Sequence, residues 1–382
     1  MKILVCASEY YPLTPMGGIG VCVHNIVKCL EELGVKCDIC SPHGPDIKIP
    51  PNFIGNKNYG VLSLLRYWNR VSSYLKNYAN YYDVVWVHQP FVLGKFPFKD
   101  CFVTMHTSIF DYNRVVQKYD YPNTLKIYYN MREKIEKHCI RSINRYASYF
   151  SVVSPHIRGA LEKLGIPSKK IVYIPNGVDV QKFKPNTSAR ARLRKHYGIL
   201  EHDIVFTYIG RITRQKRPFM LIRFFSKLSQ QLKNAWLIIA GNGDLLTDAK
   251  HFVHNLGLKR VLFLGYVNDE MVPSVYACSD IYLMTSIYEG QPITILEAMA
   301  SGLFPIVSDI PALRHIVENS NSGLILDFNN IENSVKKTLQ YIKREDIKEH
   351  SKRARRFIEE NHSWEKISRK YLQLLSKTAR EL

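Results

Sequence analysis

Two glutamates eight residues apart frame the stretch Ser286-Ile287-Tyr288-Glu289-Gly290-Gln291-Pro292-Ile293-Thr294-Ile295-Leu296-Glu297-Ala298-Met299-Ala300-Ser301-Gly302. A strand-like run over 280–285 precedes it. Pro292 suits a first helical position and Gly302 a helix stop. Glu289 then falls in the loop at the carboxyl end of a strand, where open α/β sheets bind ligands. Glu297 falls about one and a half turns into the helix, among Ile295, Leu296, Ala298, Met299 and Ala300. A carboxylate on so apolar a helix is not expected on a solvated face, and a buried acid needs a partner or a task. Either glutamate alone reads most simply as structural; the pair, spanning a strand–loop–helix junction, reads as functional. The backbone around Gly290, Gln291, Pro292, Ile293 and Thr294 adds an anion site at the helix N-terminus.

A second cluster, Gly210-Arg211-Ile212-Thr213-Arg214-Gln215-Lys216-Arg217-Pro218, places four cations within seven residues after another strand-like run. Arginine offers a bidentate fork to phosphate oxygens and lysine a point charge. A third, Tyr11 to Gly20, is rich in proline and glycine, and Gly17 and Gly18 there allow backbone amides close to a ligand. It fails as a dinucleotide fingerprint, because Gly18-x-Gly20 continues with Val21, Cys22 and Val23. His106 closes a further strand-like run, which favours a ligand or catalytic role over a purely structural one. No Asp-x-Asp occurs in the chain, so the familiar motif for a metal holding a nucleotide diphosphate is missing.

The elements that must position these residues alternate. Strand-like runs fall at 3–7, 36–41, 83–88, 101–106, 149–153 and 170–174, then at 204–210, 235–241, 261–265, 280–285, 304–308 and 324–327, with amphipathic segments between them. That is the βαβ pattern of a parallel sheet, twice over. The expected fold class is α/β, with two doubly wound Rossmann-like domains. Turn residues at Pro175-Asn176-Gly177-Val178-Asp179 mark the boundary. The expected domains are residues 1–180 and 181–363, with a last helix over 364–382 packing back on the first. Residues 61–82 read as an amphipathic helix, with Leu62, Leu65, Trp68, Val71, Leu75 and Tyr78 on one side and Arg66, Asn69, Arg70, Ser73 and Asn77 on the other. The basic, aromatic segment it belongs to begins at Tyr59.

The chain has 382 residues and a formal charge of +20. That charge invites a nucleic-acid reading, but the cations are spread evenly. Residues 1–175 hold 22 basic and 12 acidic residues and the remainder 31 and 21, so each part is +10. No RNA-reading aromatic motif accompanies them, and no nucleic-acid partner is expected. The only Cys-x-x-Cys, Cys37 and Cys40, lies in a strand, where residues three apart face opposite ways, so the cysteines read as buried thiols. No signal peptide and no run of about 18 apolar residues is evident. The expected location is the cytoplasm, with peripheral attachment to the inner membrane face suggested by the cationic 59–82 and C-terminal segments.

Taken together these motifs resemble the retaining glycosyltransferase family 4, with the GT-B architecture of two Rossmann-like domains facing a cleft. The resemblance rests on Gly17-Gly18, Val84-Val85-Trp86-Val87-His88, His106 and Pro175-Asn176-Gly177-Val178-Asp179. It continues through Gly210-Arg211 with Lys216 and Pro218, Gly241-Asn242-Gly243, Glu289 with Glu297, and Ser363-Trp364-Glu365-Lys366. It implies transfer of a hexosyl unit from a UDP- or GDP-sugar to a hydroxyl of a glycan or lipid-linked acceptor, in surface polysaccharide or glycolipid synthesis, with no cofactor and no metal required. Arg211 and Lys216 would hold the diphosphate and stabilise the leaving charge. Glu297 would accept the ribose hydroxyls, and Glu289 would face the donor sugar. His106 would contact that sugar, and the Gly17-Gly18 loop would cover the phosphates. Gly265, Tyr266 and Val267 would lie near the base, and Asn242 with residues 290–294 would complete the donor site. Two departures stand out: His315 occupies a position where the family often has Glu, and Cys22 replaces a common His. A GT-B epimerase or a silent sugar-binding relative is the alternative, which the intact Glu289, Glu297, Arg211 and Lys216 disfavour.

Overall fold

In the computed structural model, residues 1–13, 17–50, 60–98, 100–344 and 347–380 are described. Thr14, Pro15 and Met16 of the Gly-rich loop, Tyr59, and Glu381 and Leu382 of the expected last helix lie outside them. The chain divides into two units, Met1–Gly177 with Trp364–Leu382, and Val178–Ser363.

Among the described residues the first unit carries seven parallel strands: β1 Lys2–Ala7, β2 Lys36–Ser41, β3 Ile47–Lys48, β4 Val84–His88, β5 Cys101–Met105, β6 Ala147–Val152 and β7 Ile171–Tyr173. Their order is β3-β2-β1-β4-β5-β6-β7. The β-branched runs at its centre are buried on both faces; β4 and β5 are buried at every residue. That is the burial expected of a parallel sheet flanked by helices. The Trp364–Arg380 helix belongs to this unit, and the Tyr371 ring lies 4.9 Å from Trp86 of β4.

Among its described residues the second unit carries six: β8 Ile204–Ile209, β9 Ala235–Ala240, β10 Val261–Gly265, β11 Ile281–Met284, β12 Phe304–Ser308 and β13 Leu324–Leu326, ordered β10-β9-β8-β11-β12-β13. Both sheets are doubly wound. The order reverses between β1 and β4 in one and between β8 and β11 in the other, and loops leaving the carboxyl ends at such a switch point part to make a crevice.

Three sequence expectations are corrected. The two-residue β3 was not anticipated, because Ile47 and Lys48 form no apolar run. Pro292 is the N-cap of the Ile293–Ala300 helix rather than its first residue; its ψ of 131° is extended, and the helical turn starts after it. The amphipathic helix ends at Tyr78, and its buried face is Val61, Leu64, Tyr67, Trp68, Val71, Ser72 and Leu75. Leu62 is 71% exposed and Tyr78 46%. The inward face is centred about one residue away from the stripe read by spacing, as helical side chains tilting towards the N-terminus allow.

Candidate active site

In the second unit the loops after β8 and β11 are tied to one another. The Ile287 amide donates to the Gln215 carbonyl at 3.0 Å, and the Gln215 side chain donates to the Tyr288 carbonyl at 2.8 Å. The Thr285 hydroxyl reaches the Lys216 carbonyl at 2.9 Å. These bonds set Lys216 against Glu289, whose side chains form an ion pair at 12% and 7% exposure. A buried ion pair has already lost most of its water, so a further charge entering beside it is felt strongly. Arg211 is exposed at the same strand end, its carbonyl held by the Tyr208 hydroxyl at 2.7 Å. The expected fourfold cation cluster does not converge: Arg217 turns aside to donate to Asn329 Oδ1 at 2.9 Å.

The β9 loop locks onto the same framework. The Ile212 amide donates to the Asn242 carbonyl at 2.8 Å, and the Gly241 amide to the Gly265 carbonyl at 2.6 Å. A Cβ on Gly241 would collide with the Gly210 carbonyl, and one on Gly243 with the Ile212 carbonyl. These glycines are needed because three strand-end loops meet backbone to backbone. Tyr266 follows Gly265 and is 77% exposed, whereas Val267 packs partly on the core.

Glu297 is partly buried on the helix that starts after Pro292. The Tyr276 hydroxyl donates to its Oε2 at 3.1 Å and also reaches the Thr294 carbonyl at 3.1 Å. Burial raises the Glu297 carboxyl to about 7, against the opposing pull of the Tyr276 hydroxyl and Lys182. Gln291 is buried in the loop before it, and Thr294 accepts from the Tyr282 hydroxyl at 2.8 Å. Tyr276 and Tyr282 are site residues that sequence reasoning missed; nothing in their local spacing marks them.

In the first unit Gly17, with φ of 109°, is the N-cap of the Gly18–Glu32 helix, which starts directly at Gly18. Cys22, where a histidine was anticipated, donates its thiol to Asn176 Oδ1 at 3.2 Å. His106 follows β5 and is buried, its Nε2 3.0 Å from Nδ1 of His88 at the end of β4. His88 Nε2 is buried with no partner among the described residues. An unpaired buried N–H is rarely tolerated, so the His88 proton belongs on Nδ1, donating to His106. His106 must then carry its own proton on Nδ1, and burial pushes its ring down to about 3, keeping it neutral. Behind it, Gln89 Oε1 accepts from the His106 amide at 2.9 Å while Gln89 Nε2 donates to Glu136 at 2.8 Å. The other Glu136 oxygen accepts from the Ile109 amide at 2.8 Å. Gln89, with φ of 47°, and the fully buried Glu136 were also missed. Glu136 does share the stripe of Cys139, Ile140 and Ile143, a spacing that marks it as inward-facing.

A doubly wound parallel sheet in each unit, with charged loops gathered at the β8/β11 switch point, defines a GT-B protein. The sucrose-phosphate synthase of Thermosynechococcus elongatus superimposes over 100% of both chains, with a TM-score of 0.79 at 19% identity. Residues 16–182 match the model described as Glycosyltransferase Family 4, and residues 189–364 that described as Glycosyl transferases group 1. Each model covers just under half of the chain and the two together most of it, so the chain is similar to family 4 glycosyltransferases along most of its length. The Escherichia coli UDP-Gal:alpha-D-GlcNAc-diphosphoundecaprenol alpha-1,3-galactosyltransferase is 32% identical over 179 residues, 46% of each chain. The GDP-mannose-dependent alpha-(1-6)-phosphatidylinositol monomannoside mannosyltransferase of Mycobacterium tuberculosis is 26% identical over 206 residues, 52% of this chain and 53% of that protein. The chain spans about half the length of the curated relatives it matches.

Proposed function

We propose that this protein is a retaining glycosyltransferase that moves a hexosyl unit from a UDP- or GDP-sugar to a hydroxyl of a glycan or lipid-linked acceptor. The observation that carries the reading is the Lys216–Glu289 pair at the β8/β11 switch point, with Arg211 at the same strand end. In the proposed reaction the bond between the anomeric carbon and the leaving phosphate oxygen breaks on the face where the acceptor oxygen bonds. The acceptor proton passes to the departing diphosphate. Lys216 and Arg211 stabilise the charge that develops there, where preorganised cations contribute most. Glu289 orients the donor sugar, and Glu297 in its carboxylate form accepts the ribose hydroxyls. His106 presents its Nδ1–H to the sugar. The Gly17-Gly18 backbone serves the phosphates, and Tyr266 stands beside the base. These two cations offset the leaving-group charge, so the proposal calls for no cofactor.

The lipid-linked branch is favoured by the two relatives just named, whose names specify a diphosphoundecaprenol and a phosphatidylinositol acceptor. The proposed meeting with such an acceptor is at a membrane surface; no helix among the described residues is long and apolar enough to cross a membrane. A thermal-shift screen across UDP-, GDP- and ADP-sugars tests the donor class. A ligand that binds only the native state raises the melting temperature. One of the UDP- or GDP-sugars is expected to raise it by several degrees, and no shift with any of them contradicts the reading.

A further inference from the structure

His106 follows β5, and only Thr107 and Ser108 separate it from the Ile109–Lys118 helix. This short segment is tied to one buried carboxylate. Gln89 Oε1 accepts from the amides of His106 at 2.9 Å and Thr107 at 3.2 Å, and Gln89 Nε2 donates to the Thr107 carbonyl at 3.3 Å. The same Nε2 donates to Glu136 Oε1 at 2.8 Å, and Glu136 Oε2 accepts from the Ile109 amide at 2.8 Å. Glu136 therefore reaches the segment twice. It acts through Gln89 on the first two residues, and directly at the helix start, where an amide lacks a partner within the helix and negative charge is favoured.

The donors and acceptors leave Gln89 one orientation. Backbone amides only donate and an ionised carboxylate only accepts. A flipped Gln89 would set N–H against N–H on one side and oxygen against oxygen on the other. The ionised Glu136 thus fixes the Gln89 amide, and Gln89 fixes the backbone that carries the His106 ring. Two further observations set this apart from an ordinary core contact. Gln89 has φ of 47°, in a left-handed region that residues with side chains seldom occupy. Glu136 is wholly buried, and burial raises its carboxyl to about 7 against the pull of Arg132, the Ile109 amide and Gln89. A buried charge is costly to keep.

We propose that Glu136, acting through Gln89, is a positioning residue that aims the His106 ring at the donor sugar. The proposal rests on the role given to His106 above and adds to it the pair that sets the ring's place. His88 fixes which ring nitrogen carries the proton; Glu136 and Gln89 fix where the backbone beneath the ring stands. Glu136 touches neither sugar nor phosphate, so its loss should be felt only where His106 is present.

The test is a double-mutant cycle on the full chain: wild type, His106→Ala, Glu136→Gln and the two combined. The donor is UDP-glucose, UDP-galactose or GDP-mannose, whichever gives the largest thermal shift. Calorimetry reads affinity for that donor and for UDP or GDP alone. Glu136→Gln is expected to lower donor affinity about fivefold or more in the wild-type background and less than about twofold in the His106→Ala background, since residues that act through one another are not additive. Affinity for UDP or GDP alone should stay at the wild-type value in every variant, because His106 faces the sugar. Gln89→Gly, which suits the positive φ and cuts the link at its other end, should repeat the pattern even if Glu136→Gln does not fold. Glu133→Gln removes a carboxylate three residues earlier on the same helix and should change neither affinity. Four results overturn the proposal: equal losses in both backgrounds, which would mean that Glu136 only supports the fold; an equal loss of UDP or GDP affinity; an equal loss in Glu133→Gln; or wild-type donor affinity in Glu136→Gln and Gln89→Gly. Wild-type donor affinity in His106→Ala marks a different failure, that of the donor-site reading of His106, and takes this proposal with it.

Discussion

At the scale of single residues, Glu297 is the group on the proposed nucleotide side of the site whose charge changes near neutrality. Its carboxyl is raised to about 7, chiefly by burial, yet accepting two ribose hydroxyls requires the ionised form. Below pH 7 the unliganded protein holds a neutral carboxyl that must lose its proton on binding. Affinity for a nucleotide sugar should therefore rise as pH rises, approaching tenfold per unit below 7 and levelling above about 8. A sugar nucleotide has both phosphates esterified and does not titrate in this range, so the trend belongs to the protein. Calorimetric titration between pH 5.5 and 8.5 checks it, and Glu297→Gln should be weak and flat throughout. A wild-type affinity that falls with pH would contradict the assignment. This glutamate was legible in the sequence because a lone acid on an apolar helix is conspicuous, and Glu289 because it follows a strand. His88, Glu136, Tyr276 and Tyr282 were not, since each acts through a partner 12 to 47 residues away in the chain. Local pattern does not register such pairings.

At the scale of elements, the candidate donor site is a junction of strand ends. The amide of Ile212 is held by the β9 loop, and the side chain of Gln215 by the β11 loop. Gly243 sits where any side chain would displace the Ile212 carbonyl. Gly243→Ala is expected to push the 210–217 loop outward and weaken donor binding about tenfold or more, with the fold retained. A thermal melt together with a binding titration checks both halves of that statement. Unchanged affinity would mean the loops are not coupled in the way their hydrogen bonds indicate. Twelve of the thirteen strands among the described residues could be placed from their apolar runs, because strands of a parallel sheet are buried on both faces and announce themselves. The exception, Ile47–Lys48, is too short to carry a pattern. The amphipathic helix was found, yet its inward face was misplaced, because Leu62 reads the same in a sequence whether it fills a core or rims a cavity.

At the scale of the whole molecule, two doubly wound sheets carry different sets of charged and polar groups. The second unit holds the paired charges Lys216 and Glu289, with Arg211 and Glu297, at the β8/β11 switch point. The first holds a neutral, buried histidine pair and, apart from it, a cavity of about 320 Å³ with Arg66, Lys76 and Lys95 in its walls. The net charge of +20, spread evenly over the sequence, therefore has local meanings that the total does not convey. The central claim is that Lys216 serves the leaving diphosphate while Glu297 serves nucleotide binding. The measurement that tests it most directly compares Lys216→Ala with Glu297→Ala, using calorimetric donor affinity and single-turnover transfer on folded protein. Lys216→Ala should lower the transfer rate by about a hundredfold or more with a smaller loss of affinity. Glu297→Ala should weaken donor binding by about ten- to a hundredfold with a smaller effect on the rate at saturation. Wild-type behaviour in both variants, or the two effects exchanged, would contradict the account.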